Sequence, residues 1–161
     1  MAVGAASWSF TEDDFGAITQ SLQRFLYDAN ARCALLVDRS GQLVATVGEQ
    51  PNFDPTAFAT LTAADFSAND QLARLIGEND FSTLFHQGEK ESMYLADVAR
   101  RVILVVLFDN RTTLGLVRLK MKAVVEELTK LFEQVFARGQ SGQQSPSILA
   151  GADDEIDKLF Q

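Results

Sequence analysis

Seven consecutive apolar residues, Val102-Ile103-Leu104-Val105-Val106-Leu107-Phe108, constrain this chain more than any other feature. The run is rich in β-branched side chains and has the length of a strand. It falls far short of the ~20 residues that a membrane helix needs. No position in it offers a polar side chain to water. Such a strand belongs in the middle of a sheet, covered on both faces. The rest of the chain must therefore supply a layer for each side.

The neighbouring segments supply more strands. Ser82 to Gln87 and Ser92 to Val98 read as two, linked by Gly88-Glu89-Lys90-Glu91. Ala99-Arg100-Arg101 then leads into the apolar run. Upstream, Cys33 to Val37 and Leu43 to Val47 flank the turn signal Asp38-Arg39-Ser40-Gly41, the pattern of a β-hairpin.

Three segments carry helical spacing. Thr11 is placed to cap the first, with Glu12, Asp13 and Asp14 in the turn where the helix dipole favours anions. Phe15, Ile18, Leu22, Phe25 and Leu26 form its apolar stripe. Asp54 followed by Pro55 marks the start of the second helix, and Gly77 its end. Phe58, Leu61, Ala64, Ala68, Leu72, Leu75 and Ile76 are its expected core stripe. This helix is also rich in small residues, among them Ala57, Ala59, Ala63, Ser67 and Ala73. The third helix is expected over Leu114 to Phe136, with Gly139 stopping it. Val117, Met121, Val124, Val125, Leu128, Leu131, Phe132 and Val135 line its inner face.

The order is helix, two strands, helix, three strands, helix, tail. One sheet with helices on both faces satisfies it. The expected organisation is a flexible N-terminus over 1–10, one domain over 11–138, and a linker with a short C-terminal segment over 139–161. Gln140 to Ser147 is rich in Gln, Ser and Gly, as linkers are. Asp153-Asp154-Glu155-Ile156-Asp157-Lys158-Leu159-Phe160 then has an acidic start and apolar residues at helical spacing. It is too short to hold a helix alone and is suited to folding on a partner.

The 161 residues carry a net charge of -8, which argues against a nucleic-acid partner needing a basic face. No apolar run is long enough for membrane insertion. With one cysteine, Cys33, and no leader-like N-terminus, the chain reads as cytoplasmic. Chemistry has little to stand on. The one histidine, His86, falls in a strand, and Cys33 falls in an apolar strand, where a thiol is usually inert. No metal-ligand spacing and no glycine-rich phosphate loop is present. The expectation is no catalytic residue, no metal and no cofactor.

Leu35-Leu36-Val37-Asp38-Arg39-Ser40-Gly41-Gln42-Leu43 resembles the first hairpin of the Roadblock/dynein light chain family. Leu72-Ala73-Arg74-Leu75-Ile76-Gly77-Glu78-Asn79, Phe85-His86-Gln87-Gly88-Glu89 and Phe108-Asp109-Asn110-Arg111-Thr112-Thr113-Leu114-Gly115 resemble its bacterial MglB branch. The similarity runs from about Thr11 to Phe136, and the acidic tail is similar too. The resemblance implies an α+β sandwich: a five-stranded antiparallel sheet with two helices on one face and one on the other. It also implies a homodimer joined through middle helices and edge strands. The implied partner is a Ras-like MglA-type GTPase, whose hydrolysis the dimer accelerates without an arginine of its own. That activity belongs to cell polarity and gliding motility, with a cell pole as the implied location.

Under this resemblance Thr62, Ala63, Ala64, Ser67, Ala68 and Gln71 are the expected GTPase contacts on the middle helix. Ile156, Leu159 and Phe160 are the expected contacts in the tail. Phe66, Ser82, Leu84 and His86 are the expected dimer contacts. Branch members usually show Thr-Ala-Gly-Asn in the middle helix, where this chain has Thr62-Ala63-Ala64-Asp65, followed by Phe66 and then by Asn69-Asp70-Gln71 where smaller residues are common. A dimeric adaptor that tethers partners without accelerating hydrolysis is the alternative. A small-molecule sensor or enzyme ranks last, since no convergent polar residues line a pocket.

Overall fold

The computed structural model describes residues 10–143. Five strands form one antiparallel sheet: β1 (Cys33–Asp38), β2 (Leu43–Gly48), β3 (Thr83–His86), β4 (Ser92–Val98) and β5 (Val102–Phe108). Their order across the sheet is β2-β1-β5-β4-β3. The apolar run is thus the middle strand, and all seven of its residues are buried. It pairs with β1 from Cys33↔Leu107 to Asp38↔Val102, and with β4 from Ser92↔Phe108 to Val98↔Val102.

Alternation along β5 separates two cores, because successive side chains point to opposite faces. Val102, Leu104, Val106 and Phe108 join one cluster with α1 (Glu12–Ala29) and α3 (Leu114–Gln143). Ile103, Val105 and Leu107 join the other, beneath α2 (Pro55–Leu75). Two helices therefore cover one face and one helix the other, as the resemblance implied.

Local chemistry sets the helix ends. The Thr11 hydroxyl accepts from the Asp14 backbone N–H at 3.1 Å while the Asp14 carboxylate accepts from the Thr11 N–H at 3.0 Å. That reciprocal pair is a capping box with Asp in place of Glu. Asp54 caps α2 through Thr56, and Pro55 opens it. At its other end Glu78 N–H donates to the Ala73 carbonyl at 2.9 Å and Gly77 N–H to the Arg74 carbonyl at 3.1 Å. Gly77 has φ +88°, the left-handed turn that closes such an end. The Thr113 hydroxyl accepts from Leu116 N–H and starts α3.

Three expectations need correction. Helix α3 runs through Gly139 to Gln143, so the first part of the expected linker over 139–143 is helical. A lone glycine costs a helix about 1 kcal/mol, too little to stop one of thirty residues. Phe15, in the first turns of α1, is 47% exposed and leaves the expected stripe, whereas Ser21 and Ala29 join it. In α2, Leu61, Leu72, Leu75 and Ile76 of the expected core stripe are exposed. The terminal segment with Ile156, Leu159 and Phe160 lies outside the described residues.

Gly48 closes β2 at φ +100°. A Cβ there would lie 2.4 Å from the Arg32 carbonyl oxygen and 2.7 Å from Leu26 Cδ1. Left-handed strain and the clash add, so Gly48→Ala is expected to cost about 2–5 kcal/mol of stability. A denaturant melt reads this directly. The same exchange at Gly16, where a Cβ meets nothing within 4 Å, is the control.

Candidate functional site

Helix α2 carries two stripes, and periodicity alone does not say which one faces the sheet. Ala59, Thr62, Ala63, Phe66, Asn69 and Ala73 are buried. Ala59 and Ala73 are both 0% exposed, and the small Ala59 packs in one core cluster with Cys33, Leu35 and Val37 of β1. The stripe expected in the core faces outward instead. Leu61 is 70% exposed, Leu72 58%, Leu75 82% and Ile76 71%. Ala64 and Ala68 are exposed on the same side.

Polar contacts hold this orientation. The Arg39 guanidinium, on the β1–β2 turn, donates to Asp70 of α2 at 2.7 Å and to Asp97 of β4. It also lies 5.2 Å from the Phe66 ring centroid. Burial opposes its charge, and the hydrogen bonds to Asp97 and Asp70 more than offset this, so its pKa is raised. The Asn69 amide donates to the Phe81 carbonyl at 3.4 Å, tying α2 to the segment before β3. On the side nearest β3, the Asp65 carboxylate sits 2.6 Å from His86 Nε2.

At 100° per residue the outer face of α2 divides in two. Leu61, Leu72 and Ile76 lie on the Asp65 side, continuous with edge strand β3. Ser67, Gln71 and Thr60 lie on the other side, above the β1–β2 turn. Ala64, Ala68 and Leu75 form the ridge between.

The expected site residues sort accordingly. Ala64, Ser67, Ala68 and Gln71 are exposed and available to a partner. Thr62, 3% exposed, and Ala63, 8% exposed, face inward and are withdrawn as contacts. Phe66, 1% exposed, is a core residue under the Arg39 guanidinium and is withdrawn as a dimer contact. Ser82 and His86 are exposed along the β3 edge, and Leu84 packs partly into the core beneath α2. Leu61, Leu72, Leu75 and Ile76 are surface residues that helical spacing alone assigns to the core.

The remaining reactive groups are structural. Cys33 is 2% exposed, and burial pushes its thiol up to about 11. At the same end of the sheet, Arg32 and Arg111 bracket Glu49 at 2.8 and 3.1 Å, and Arg111 also holds Asp109 at 3.0 Å. Hydrogen bonds from Arg32 and then Arg111 keep the Glu49 carboxyl below its usual range. Among the described residues no three His, Cys, Asp or Glu side chains are placed to hold a metal ion. No described helix is long and apolar enough to cross a membrane.

The Roadblock/LC7 domain profile matches residues 18–108. Among solved structures, Myxococcus xanthus MglB is 50% identical to this chain, with a TM-score of 0.72. The match covers 74% of this chain and 98% of that one. The gliding protein MglB of Thermus thermophilus is 31% identical, with a TM-score of 0.74, over 80% of this chain and 97% of that one. An MglB in a tetrameric arrangement is also 31% identical, with a TM-score of 0.75 over the same shares. The strand order, the split of helices between the two faces and these matches agree: the chain belongs to the Roadblock/LC7 domain family and is close to its MglB members.

Proposed function

We propose that this chain is a homodimeric regulator that accelerates GTP hydrolysis by a Ras-like, MglA-type small GTPase controlling polarity and motility. The observation that carries the reading is the outer face of α2. Four large aliphatic side chains there are more than half exposed: Leu72, Leu75 and Ile76 fall within about one turn, and Ala64 and Ala68 connect them along the helix to Leu61, about three turns away. A contiguous apolar surface of that kind marks an interface. It adjoins β3, an edge strand whose free backbone groups can pair with another strand. A two-fold axis beside β3 satisfies both needs at once: α2 packs on its copy and β3 pairs with its copy.

Such a dimer leaves the Ser67 and Gln71 flank of each α2 helix open, on the side away from the two-fold axis. Small side chains at Ala64, Ser67 and Ala68 allow a partner to approach closely. The similarity to MglB proteins supports an MglA-type GTPase as that partner. Activation through this face works by position rather than by a donated cation. Of the two turn arginines, Arg101 is turned to the α3 side, its guanidinium 4.7 Å from the Phe136 ring centroid. Of the departures in the middle helix, Phe66 and Asn69 turn inward, Asp65 pairs with His86 and Asp70 with Arg39, so Ala64 and Gln71 are the ones that alter the outer surface.

Ser67→Arg is expected to abolish GTPase binding while the dimer persists, because Ser67 lies on the flank away from the leucines. A pull-down with the GTPase in its GTP-bound form, beside a mass measurement, reads both. Retained binding would remove this flank from the account.

A further inference from the structure

A second surface lies on the opposite face of the sheet. Between β4, edge strand β3 and helix α3 runs a groove of about 400 Å³. Tyr94, Ala96, Met121 and Val125 form an apolar floor. Arg118 and Lys122, one turn apart on α3, are exposed at its rim. Neither has an ion-pair partner among the described residues, although the protein carries a net charge of -8. The acidic groups at the groove are Asp97, already held by Arg39, and Glu126.

We propose that the groove is the intramolecular docking site for the chain's own C-terminal segment, Asp153 to Phe160. The chemistry is complementary. Ile156, Leu159 and Phe160 supply apolar side chains for the floor. Asp153, Asp154, Glu155 and Asp157 supply anions for Arg118 and Lys122, and Lys158 supplies a cation for Glu126. Chain length permits it. Returning from Gln143 to the level of Lys122 along α3 needs roughly 32 Å at 1.5 Å per residue. The residues between Gln143 and Ile156 span up to roughly 43 Å when extended. A tether of this length holds the segment at an effective concentration of about 1 mM, so a contact too weak to persist between separate molecules is populated within one.

Docking in the groove is a property of this chain alone. Its consequence rests on the GTPase reading: a docked tail withholds Ile156, Leu159 and Phe160 from the GTPase, so the groove and the partner compete for the same side chains.

The test uses the full chain without any GTPase, so it stands or falls apart from that reading. A nitroxide label is placed at Gln161→Cys. Cys33 stays in place, since burial and its raised thiol pKa keep it unlabelled. The expected result is at least a twofold loss of amide signal at Tyr94, Met121 and Val125 in the nitrogen-15 spectrum. Arg118→Glu/Lys122→Glu, at exposed positions, should restore the signals with the spectrum otherwise unchanged. Unaffected groove amides in the labelled chain would overturn the proposal. So would equal signal loss in a mixture of labelled nitrogen-14 chain with unlabelled nitrogen-15 chain, which would place a neighbouring copy's tail in the groove.

Discussion

Leu72→Glu is expected to convert the proposed dimer to single folded chains. Leu72 is 58% exposed and takes no part in either core cluster, so the substitution leaves the fold standing. In a two-fold interface each substituted residue appears twice, and each glutamate would have to lose its water against leucines. A loss of about 4 kcal/mol, in the range of interface hot spots, weakens association on the order of 10³-fold. Light scattering at micromolar concentration is expected to give the mass of one chain, with helix content unchanged by circular dichroism. A persistent dimer would show that the outer leucines of α2 serve something other than self-association. Ser67→Arg and Leu72→Glu thus form a pair. One separates the GTPase from an intact dimer, and the other separates the dimer itself.

Leu104→Asp will leave the chain unfolded at room temperature. Leu104 is 0% exposed at the centre of β5, between Leu36 on one side and Ala96 on the other. Its side chain enters the apolar cluster of α1 and α3, where a carboxylate would be stripped of its water. Leaving an ion there costs more than the roughly 5–15 kcal/mol by which a domain of this kind is stable. Loss of the cooperative thermal transition is the readout. Leu119→Asp on the outer side of α3, at a position 64% exposed, should melt like the parent.

These two substitutions fall on either side of what the sequence makes legible. The bounds and central place of β5 follow from a run with no polar face, because only one position in a sheet tolerates that. The hairpin, the Thr11 and Asp54 caps and the Gly77 stop are equally readable, since each depends on residues within a few positions. The orientation of α2 is not. Its two stripes are both compatible with helical spacing, and the larger side chains lie on the outside. A rule that puts the bulkiest stripe inward holds for a helix with one buried face. It fails for a helix that sits close to its own sheet on small residues and carries leucines for another surface. Phe66 escapes that rule in the other direction, as the one large side chain that α2 buries fully. The inward turn of Thr62 and Ala63 follows from the same rotation.

The polar contacts that fix this rotation are also invisible to periodicity. Arg39 reaches Asp70 and Asp97 across 31 and 58 residues of sequence. Asp65 and His86 meet across 21. Residue type gives no sign of such pairings until the sheet order brings the elements together. The exposure of Ser67 and Gln71 is legible in the sequence, but only for half a reason: both lie off the inner stripe, whereas spacing alone misplaces that stripe.

Single-turnover GTP hydrolysis by an MglA-type GTPase, with and without this protein, tests the central claim most directly. The account predicts an increase of roughly 10-fold or more, against the 10³–10⁵ reached where an arginine finger is supplied. The increase should survive Arg100→Ala/Arg101→Ala and vanish with Ser67→Arg. An unchanged rate in the presence of a stable complex would contradict activation and leave a dimeric adaptor in its place.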